Sequence, residues 1–300
     1  MAMLVKSKTA IVTGAGSGIN FCFAKLLLSK GCNVVIADLG LRPEAQKLVS
    51  MYTGENGAKA VFQKTDVTNW TELSRMFKVA TQEFGGADIV CPGAGIYEPA
   101  WTNFWNPPGE LPSTDSIEQS RYGLIDINIT HPIRTTQLAI EHFLNAKKPG
   151  IVTHITSVAG QVPFFPTPVY VASKHAIQGF VRSLYRLEEP RGDIPKIRVN
   201  AVAPGLIRTP LWTDHPEKMK FIEEGNKDWV TAEDVADVML DLVENEKHVG
   251  GTIIEVGKVV RKVEVFNDPG PPKGENAVAH AKEVEDDVWT ALGAQYNKKS

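Results

Sequence analysis

Thr9-Ala10-Ile11-Val12-Thr13-Gly14-Ala15-Gly16-Ser17-Gly18-Ile19 passes from five strand-forming residues through a glycine turn into an apolar segment of helical period. Strand, glycine turn and helix start together make an anion site, because unpaired N–H groups and the helix dipole point at whatever phosphate lies there. Glycine lets that ligand approach the backbone closely. The same glycines suit a tight structural turn, so the turn alone does not decide the matter. A second residue adds weight. Asp38 closes the next strand-like run, Asn33-Val34-Val35-Ile36-Ala37, about twenty residues past Gly18, where a carboxylate accepts hydrogen bonds from adenosine ribose hydroxyls and repels a 2′-phosphate. An Asp in a strand-end turn is the plainer alternative. The expected cofactor is NAD rather than NADP, with Arg42 nearby as a qualification.

Working outward, β-branched runs alternate with helical patterns: Thr9–Thr13, Phe21–Ser29, Asn33–Ala37, Arg42–Met51, Ala60–Thr65, Thr71–Phe84 and Ala87–Cys91. A helix near Tyr122–Ala146, a strand Ile151–Ile155, a helix Tyr170–Glu188 and strands Ile197–Ala203 and Thr252–Val256 complete the series. This is the βαβ rhythm of a parallel sheet. It predicts an α/β, single-domain, doubly wound (Rossmann-like) parallel sheet of seven strands with helices on both faces and ligands at the strand C-terminal ends. Residues 1–265 should form the cofactor-binding and catalytic domain, and 266–300 a tail with a short helix built on Val284, Val288, Trp289 and Leu292. Two segments break the rhythm. Residues 96–121 carry Pro99, Pro107, Pro108 and Pro112 and read as a long ordered loop, and 204–228 follows the sixth strand, where loops often close over ligand.

Composition narrows the class. The 300 residues are 43% hydrophobic and 22% charged, ordinary for a globular chain, and the net charge of −3 gives no basic face for nucleic acid. No apolar run spans a bilayer and the N-terminus lacks a signal-peptide pattern, so no membrane partner is expected and the cytoplasm is the expected location. The three cysteines, Cys22, Cys32 and Cys91, are odd in number and sit in apolar surroundings, which suits buried thiols in a reducing compartment. No metal site is expected.

Of the six tyrosines only Tyr170 has a lysine four residues on, Lys174, which places both on one helix face. A surface Tyr/Lys pair has the same spacing. The chemistry separates the two: a phenol with pKa near ~10 is a poor base at neutral pH, whereas an ammonium about 4 Å away at an effective dielectric near 20 contributes roughly 4 kcal/mol, about three pKa units before desolvation. Ser157 stands thirteen residues before Tyr170 at a strand end, where its hydroxyl can polarise a reacting oxygen. Asn128 lies on the preceding helix, where it also suits a polar helix-face position.

Thr13-Gly14-x-x-x-Gly18-Ile19 resembles the Thr-Gly-x-x-x-Gly-x-Gly turn of short-chain dehydrogenases/reductases, with Asn20 in place of the last glycine. Asp66-Val67 is similar to the adenine-contacting pair of that family, and Pro92-Gly93-Ala94-Gly95 aligns with its Asn-Asn-Ala-Gly stretch, both asparagines being absent. The resemblance covers roughly Lys8 to Gly257. Within the family, the Pro-Val-Tyr-x-Ala-Ser-Lys-His-Ala run and the tail look most like 15-hydroxyprostaglandin-dehydrogenase-like members. It implies that Tyr170 exchanges a proton, Lys174 lowers its pKa and holds the nicotinamide ribose, Ser157 orients the oxygen, and Asn128 relays between a water and the lysine. It also implies that Gly14, Ser17, Gly18, Ile19, Gly93, Ala94, Gly95, Pro204 and Gly205 line the cofactor, with Ile207 and Thr209 at the carboxamide. A homodimer or homotetramer follows from the same resemblance.

Trp101, Phe104, Trp105, Phe164, Phe165 and Trp212 fall near the expected ligand end and point to a bulky hydrophobic alcohol or ketone as substrate. Packing of the long loop would use the same aromatics. The expected activity is hydride transfer between NAD(H) and a secondary alcohol or ketone. The alternatives are a non-redox or mixed reaction in secondary metabolism with bound cofactor, motivated by Asn20 and Gly93, and a redox-inactive binding protein.

Overall fold

The computed structural model describes residues 2–55, 57–207, 209, 230–265 and 281–297, with side chains from 286 to 296 in the last of these segments. Its strands are β1 (Thr9–Thr13), β2 (Asn33–Asp38), β3 (Ala60–Lys64), β4 (Ile89–Cys91), β5 (Gly150–Ile155), β6 (Ile197–Pro204), β7 (Ile253–Val256) and β8 (Val260–Lys262). They form one sheet in the order β3-β2-β1-β4-β5-β6-β7-β8. The first seven run parallel as the sequence predicts. The correction is the eighth, which pairs antiparallel with β7 and is exposed at all three positions, so it carries no burial pattern to read.

Each parallel strand is apolar on both sides because helices cover both faces. Ala10 and Val12 of β1 pack with α1 (Gly18–Ser29) and α6 (Ala232–Glu244), while Ile11 faces α3 (Trp70–Phe84) and α4 (His131–Asn145). Helix α2 (Pro43–Met51) follows β2, and α5 (Pro168–Ser183) lies with α3 and α4. Full burial of side chains such as Phe23, Leu27 and Phe143 contributes roughly 1.5–3 kcal/mol each. Local signals set the helix ends. The Asn69 side chain accepts from Thr71 and Glu72 N–H at the start of α3, Gly85 closes it in the left-handed region at φ +76°, and Thr231 with Asp234 forms a capping box on α6.

The helix expected near Tyr122–Ala146 is not uniform. A single turn, Gly123–Ile125, leads into a π-helical stretch, Asp126–Thr130, before α4 begins. Residues 96–121 contain turns and isolated bridges but no helix or strand, as their prolines predict. The tail forms α7 (Ala281–Asn297), whose Trp289 is buried against the α4 side of the core. Val288 points outward instead, 53% exposed, while the Val284 side chain, residues 210–228 of the second loop and Trp212 among them lie outside what is described. No helix among the described residues is long and apolar enough to cross a membrane.

Candidate active site

The strand order reverses between β1 and β4, and there the C-terminal ends of the sheet open into a cleft of about 610 Å³. Its floor is the turn after β1. Gly14 and Gly18 hold left-handed backbone at φ +72° and +61°, which ordinary side chains avoid. A Cβ on Gly16 would lie 2.3 Å from the Gly40 carbonyl, and one on Gly14 2.8 Å from the Ala94 Cα. Ser17 caps α1 without a side-chain bond, and the first turn of α1 carries no acidic residue, so its N–H groups face the cleft uncompensated. This cradle fits a dinucleotide pyrophosphate.

Gly14, Ser17, Gly18, Ile19, Asp38, Asp66, Val67, Gly93, Ala94, Gly95, Ser157, Tyr170, Lys174, Pro204, Gly205, Ile207 and Thr209 all line this one cleft. Asn128 does not; it stands behind the wall. Asp38 is already engaged, since its Oδ2 accepts from Gly16 N–H at 2.8 Å and ties the turn to the end of β2. Asp66 Oδ1 accepts from the Thr68 amide and hydroxyl at 2.9 and 2.8 Å, which fixes the loop after β3.

The π-helical stretch buries Asn128, and its amide forms a two-point clamp on Ile96: Oδ1 accepts from Ile96 N–H and Nδ2 donates to Ile96 C=O, both at 2.9 Å. Nδ2 also reaches Ser173 Oγ at 3.3 Å. A Cβ on Gly95 would sit 3.3 Å from Asn128 Oδ1 and 3.7 Å from Lys174 Nζ, so Asn128 and Lys174 face one another across a residue that must be small.

Ser157, at the end of β5, accepts from Ala159 N–H at 3.2 Å and donates to Pro204 C=O at 3.4 Å. Tyr170, in the first turn of α5, lines the same cleft as Ser157, whose hydroxyl pulls the phenol pKa down. The Lys174 Nζ lies over the Tyr170 ring, 5.5 Å from its centroid, and donates to Ile155 C=O at 3.1 Å. This corrects the electrostatic expectation. Burial pushes the Tyr170 phenol up to about 12, against the downward pull of Ser157, and lowers Lys174 to about 8. The ammonium is held over the ring face by a backbone carbonyl, and desolvation is the largest influence on both groups.

Sequence reasoning missed several supports. Glu98 is buried with φ +32°; its Oε2 accepts from Tyr170 N–H at 2.8 Å and its Oε1 from Phe104 N–H at 3.1 Å, so one carboxylate joins the long loop to the first turn of α5. Tyr97 packs edge-on against the Tyr170 ring at 4.6 Å. His131 is fully buried; its Nδ1 lies 3.1 Å from Ile127 C=O, which can only accept, so Nε2 is left to accept from Thr13 Oγ1 at 3.1 Å. Thr13 Oγ1 in turn accepts from Ala94 N–H at 3.1 Å. The available signal was a histidine and an acid inside otherwise apolar runs.

Of the aromatics, Phe164 lines the cleft, Trp101 packs against Gly123, and Phe104, Trp105 and Phe165 form a chain of ring contacts at 4.9 Å without lining it. A family model of the short chain dehydrogenases matches residues 8–220. The chain belongs to this family. Among its relatives, human 15-hydroxyprostaglandin dehydrogenase [NAD(+)] is 30% identical over 211 residues, 70% of this short-chain dehydrogenase and 71% of the relative. A 3beta-hydroxysteroid dehydrogenase of Eggerthella lenta and a D-beta-hydroxybutyrate dehydrogenase of Cupriavidus necator are each 31% identical, over 69% of the chain and 73% and 74% of those proteins. A short-chain dehydrogenase/reductase from Mycobacterium marinum shares the fold at TM-score 0.69, covering 85% of this chain and 95% of its own, at 24% identity. Membership makes this short-chain dehydrogenase an oxidoreductase of alcohols and ketones that uses a nicotinamide cofactor.

Proposed function

We propose that this short-chain dehydrogenase moves a hydride between NAD(H) and the carbinol or carbonyl carbon of a bulky hydrophobic secondary alcohol or ketone. The observation that carries the proposal is the convergence of Ser157, Tyr170 and Lys174 on the same cleft as the glycine cradle, with the Lys174 amine over the Tyr170 ring. When bound, the nicotinamide supplies the hydride acceptor or donor. In oxidation the substrate hydroxyl gives its proton to Tyr170 while the carbinol hydrogen leaves as hydride; in reduction the Tyr170 phenol returns a proton to the oxygen. Ser157 donates a hydrogen bond to that oxygen and keeps it beside the phenol. Lys174, at about 8, still carries its charge at pH 7 and favours the phenolate when Tyr170 gives up its proton. Asn128 is a positioning residue that fixes Ile96 and Ser173 behind the site.

The Asp38 carboxylate at the end of β2 supports NAD over NADP. Val162, Pro163 and Phe164 on the cleft wall support a hydrophobic substrate. Relatives named for a hydroxyprostaglandin and a hydroxysteroid agree with that wall better than the one named for hydroxybutyrate. The three free, buried thiols support a cytoplasmic setting, and the family resemblance supports a homodimer or homotetramer, against which a solution mass of 32.8 kDa would count. With lipophilic secondary alcohols and NAD, absorbance should grow at the reduced nicotinamide band, and Tyr170→Phe should lower the rate by at least about 100-fold. A wild-type rate in that variant overturns the assignment.

A further inference from the structure

Asn20 lies in the first turn of α1, is 8% exposed and borders the cleft. Its Oδ1 accepts from the Cys91 thiol at 3.8 Å. Its Nδ2 has no hydrogen-bond partner among the described residues, yet it stays in contact with the cleft rather than sealed in the core. A Cβ on Gly14, in the phosphate turn, would lie 3.0 Å from that nitrogen. An amide nitrogen that borders the cleft without a protein partner is free to donate to a ligand bound there.

Across the cleft floor, a Cβ on Gly93 would meet Asn20 Oδ1 at 2.1 Å, Cγ at 2.7 Å and Nδ2 at 2.8 Å. The Asn20 side chain therefore fills the volume in which a residue-93 side chain would begin. The two departures from the family pattern are one event: an amide on α1 requires glycine on the loop after β4.

We propose that Asn20 is a cofactor-binding residue whose Nδ2 donates to the bound dinucleotide beside the free N–H groups of α1, and that Gly93 is the space it needs. The inference rests on the NAD(H) reading above, and it removes the sequence motive for a non-redox reaction. An uncharged donor at a helix start adds to the same positive field that holds a pyrophosphate, without introducing a charge.

The test is NADH binding, followed by nicotinamide fluorescence, together with melting of the cofactor-free protein. Asn20→Ala should weaken NADH binding at least about tenfold, the size of one hydrogen bond to a charged group, while the cofactor-free melting temperature stays within about 3 °C. Asn20→Gly and Gly93→Asn should each weaken binding as much, the second through collision with Asn20, and the double exchange, which returns an amide donor to the same volume from the loop after β4, should bind within about threefold of wild type. If wild type fails to bind NADH, the functional reading falls and this inference with it. If wild type binds and Asn20→Ala binds equally well, or loses only melting temperature, this inference alone is overturned. Should Asn20→Ala not fold, the double exchange decides: recovery supports the pair, and losses that add overturn it.

Discussion

At the scale of single residues, Asp38 spends one carboxylate oxygen on the Gly16 amide at 2.8 Å and keeps the other turned toward a weak 3.5 Å contact with Gly40 N–H. Asp38→Asn preserves the shape and removes the charge, so the repulsion of a 2′-phosphate disappears. The ratio of kcat/KM for NAD to that for NADP should fall at least about tenfold, and an unchanged ratio would show that Asp38 does not set the preference. The Tyr170/Lys174 pair shows where a spacing rule stops. Four residues on a helix put both side chains on one face, and the structure does so. Spacing says nothing of Ile155, whose carbonyl comes from β5 and tethers the ammonium.

At the scale of elements, Glu98 bolts the 96–121 loop to the start of α5. Its left-handed backbone costs about 1–2 kcal/mol, which two accepted amide hydrogen bonds offset. Glu98→Ala should destabilise the fold by about 3 kcal/mol and lower kcat more than it raises KM, because Tyr170 loses the anchor of its own N–H. Glu98→Gln should fall between the two, and an unchanged kcat in Glu98→Ala would mean that the loop and the Tyr170 turn are independent. The strands and most helices were legible because both faces of the sheet are buried and the apolar period changes between strand and helix. β8 was not, because Val260, Arg261 and Lys262 are all exposed and held only by pairing with β7. Nor was the π-helical stretch, since one extra residue in a turn leaves the apolar pattern of 122–146 almost unaltered while reorienting Asn128. The cofactor turn was legible from its glycines taken together with Asp38; the partners of Glu98 and His131 were not, because they arrive from elements distant in sequence.

Across the whole molecule, two fully buried histidines bind α4 and the strands together. Burial lowers His131 to about 4 and His154 to about 3, from an ordinary 6.5. The folded-state values lie below the unfolded ones, so their stabilising effect is complete above pH 6.5 and is lost as pH falls toward 4, where the unfolded chain takes up protons that the folded chain refuses. From pH 7 to pH 5 the two should cost roughly 4 kcal/mol of unfolding free energy, seen as a falling urea midpoint. His154→Phe should halve that dependence, and a midpoint flat between these pH values would contradict it. The Arg198–Glu188 pair, at 2.8 Å with Arg198 wholly enclosed, fixes the start of β6 to the turn after α5.

Cys22, Cys32 and Cys91 come from α1, the approach to β2 and the end of β4, and all three are buried as protonated thiols, Cys22 raised to about 12 and the others further. A thiol-specific reagent therefore meets no reactive sulfur on the closed molecule, because only the thiolate attacks. Colour from such a reagent would appear at the pace at which the dinucleotide half breathes open, and the protein thus carries an internal clock for its own local unfolding.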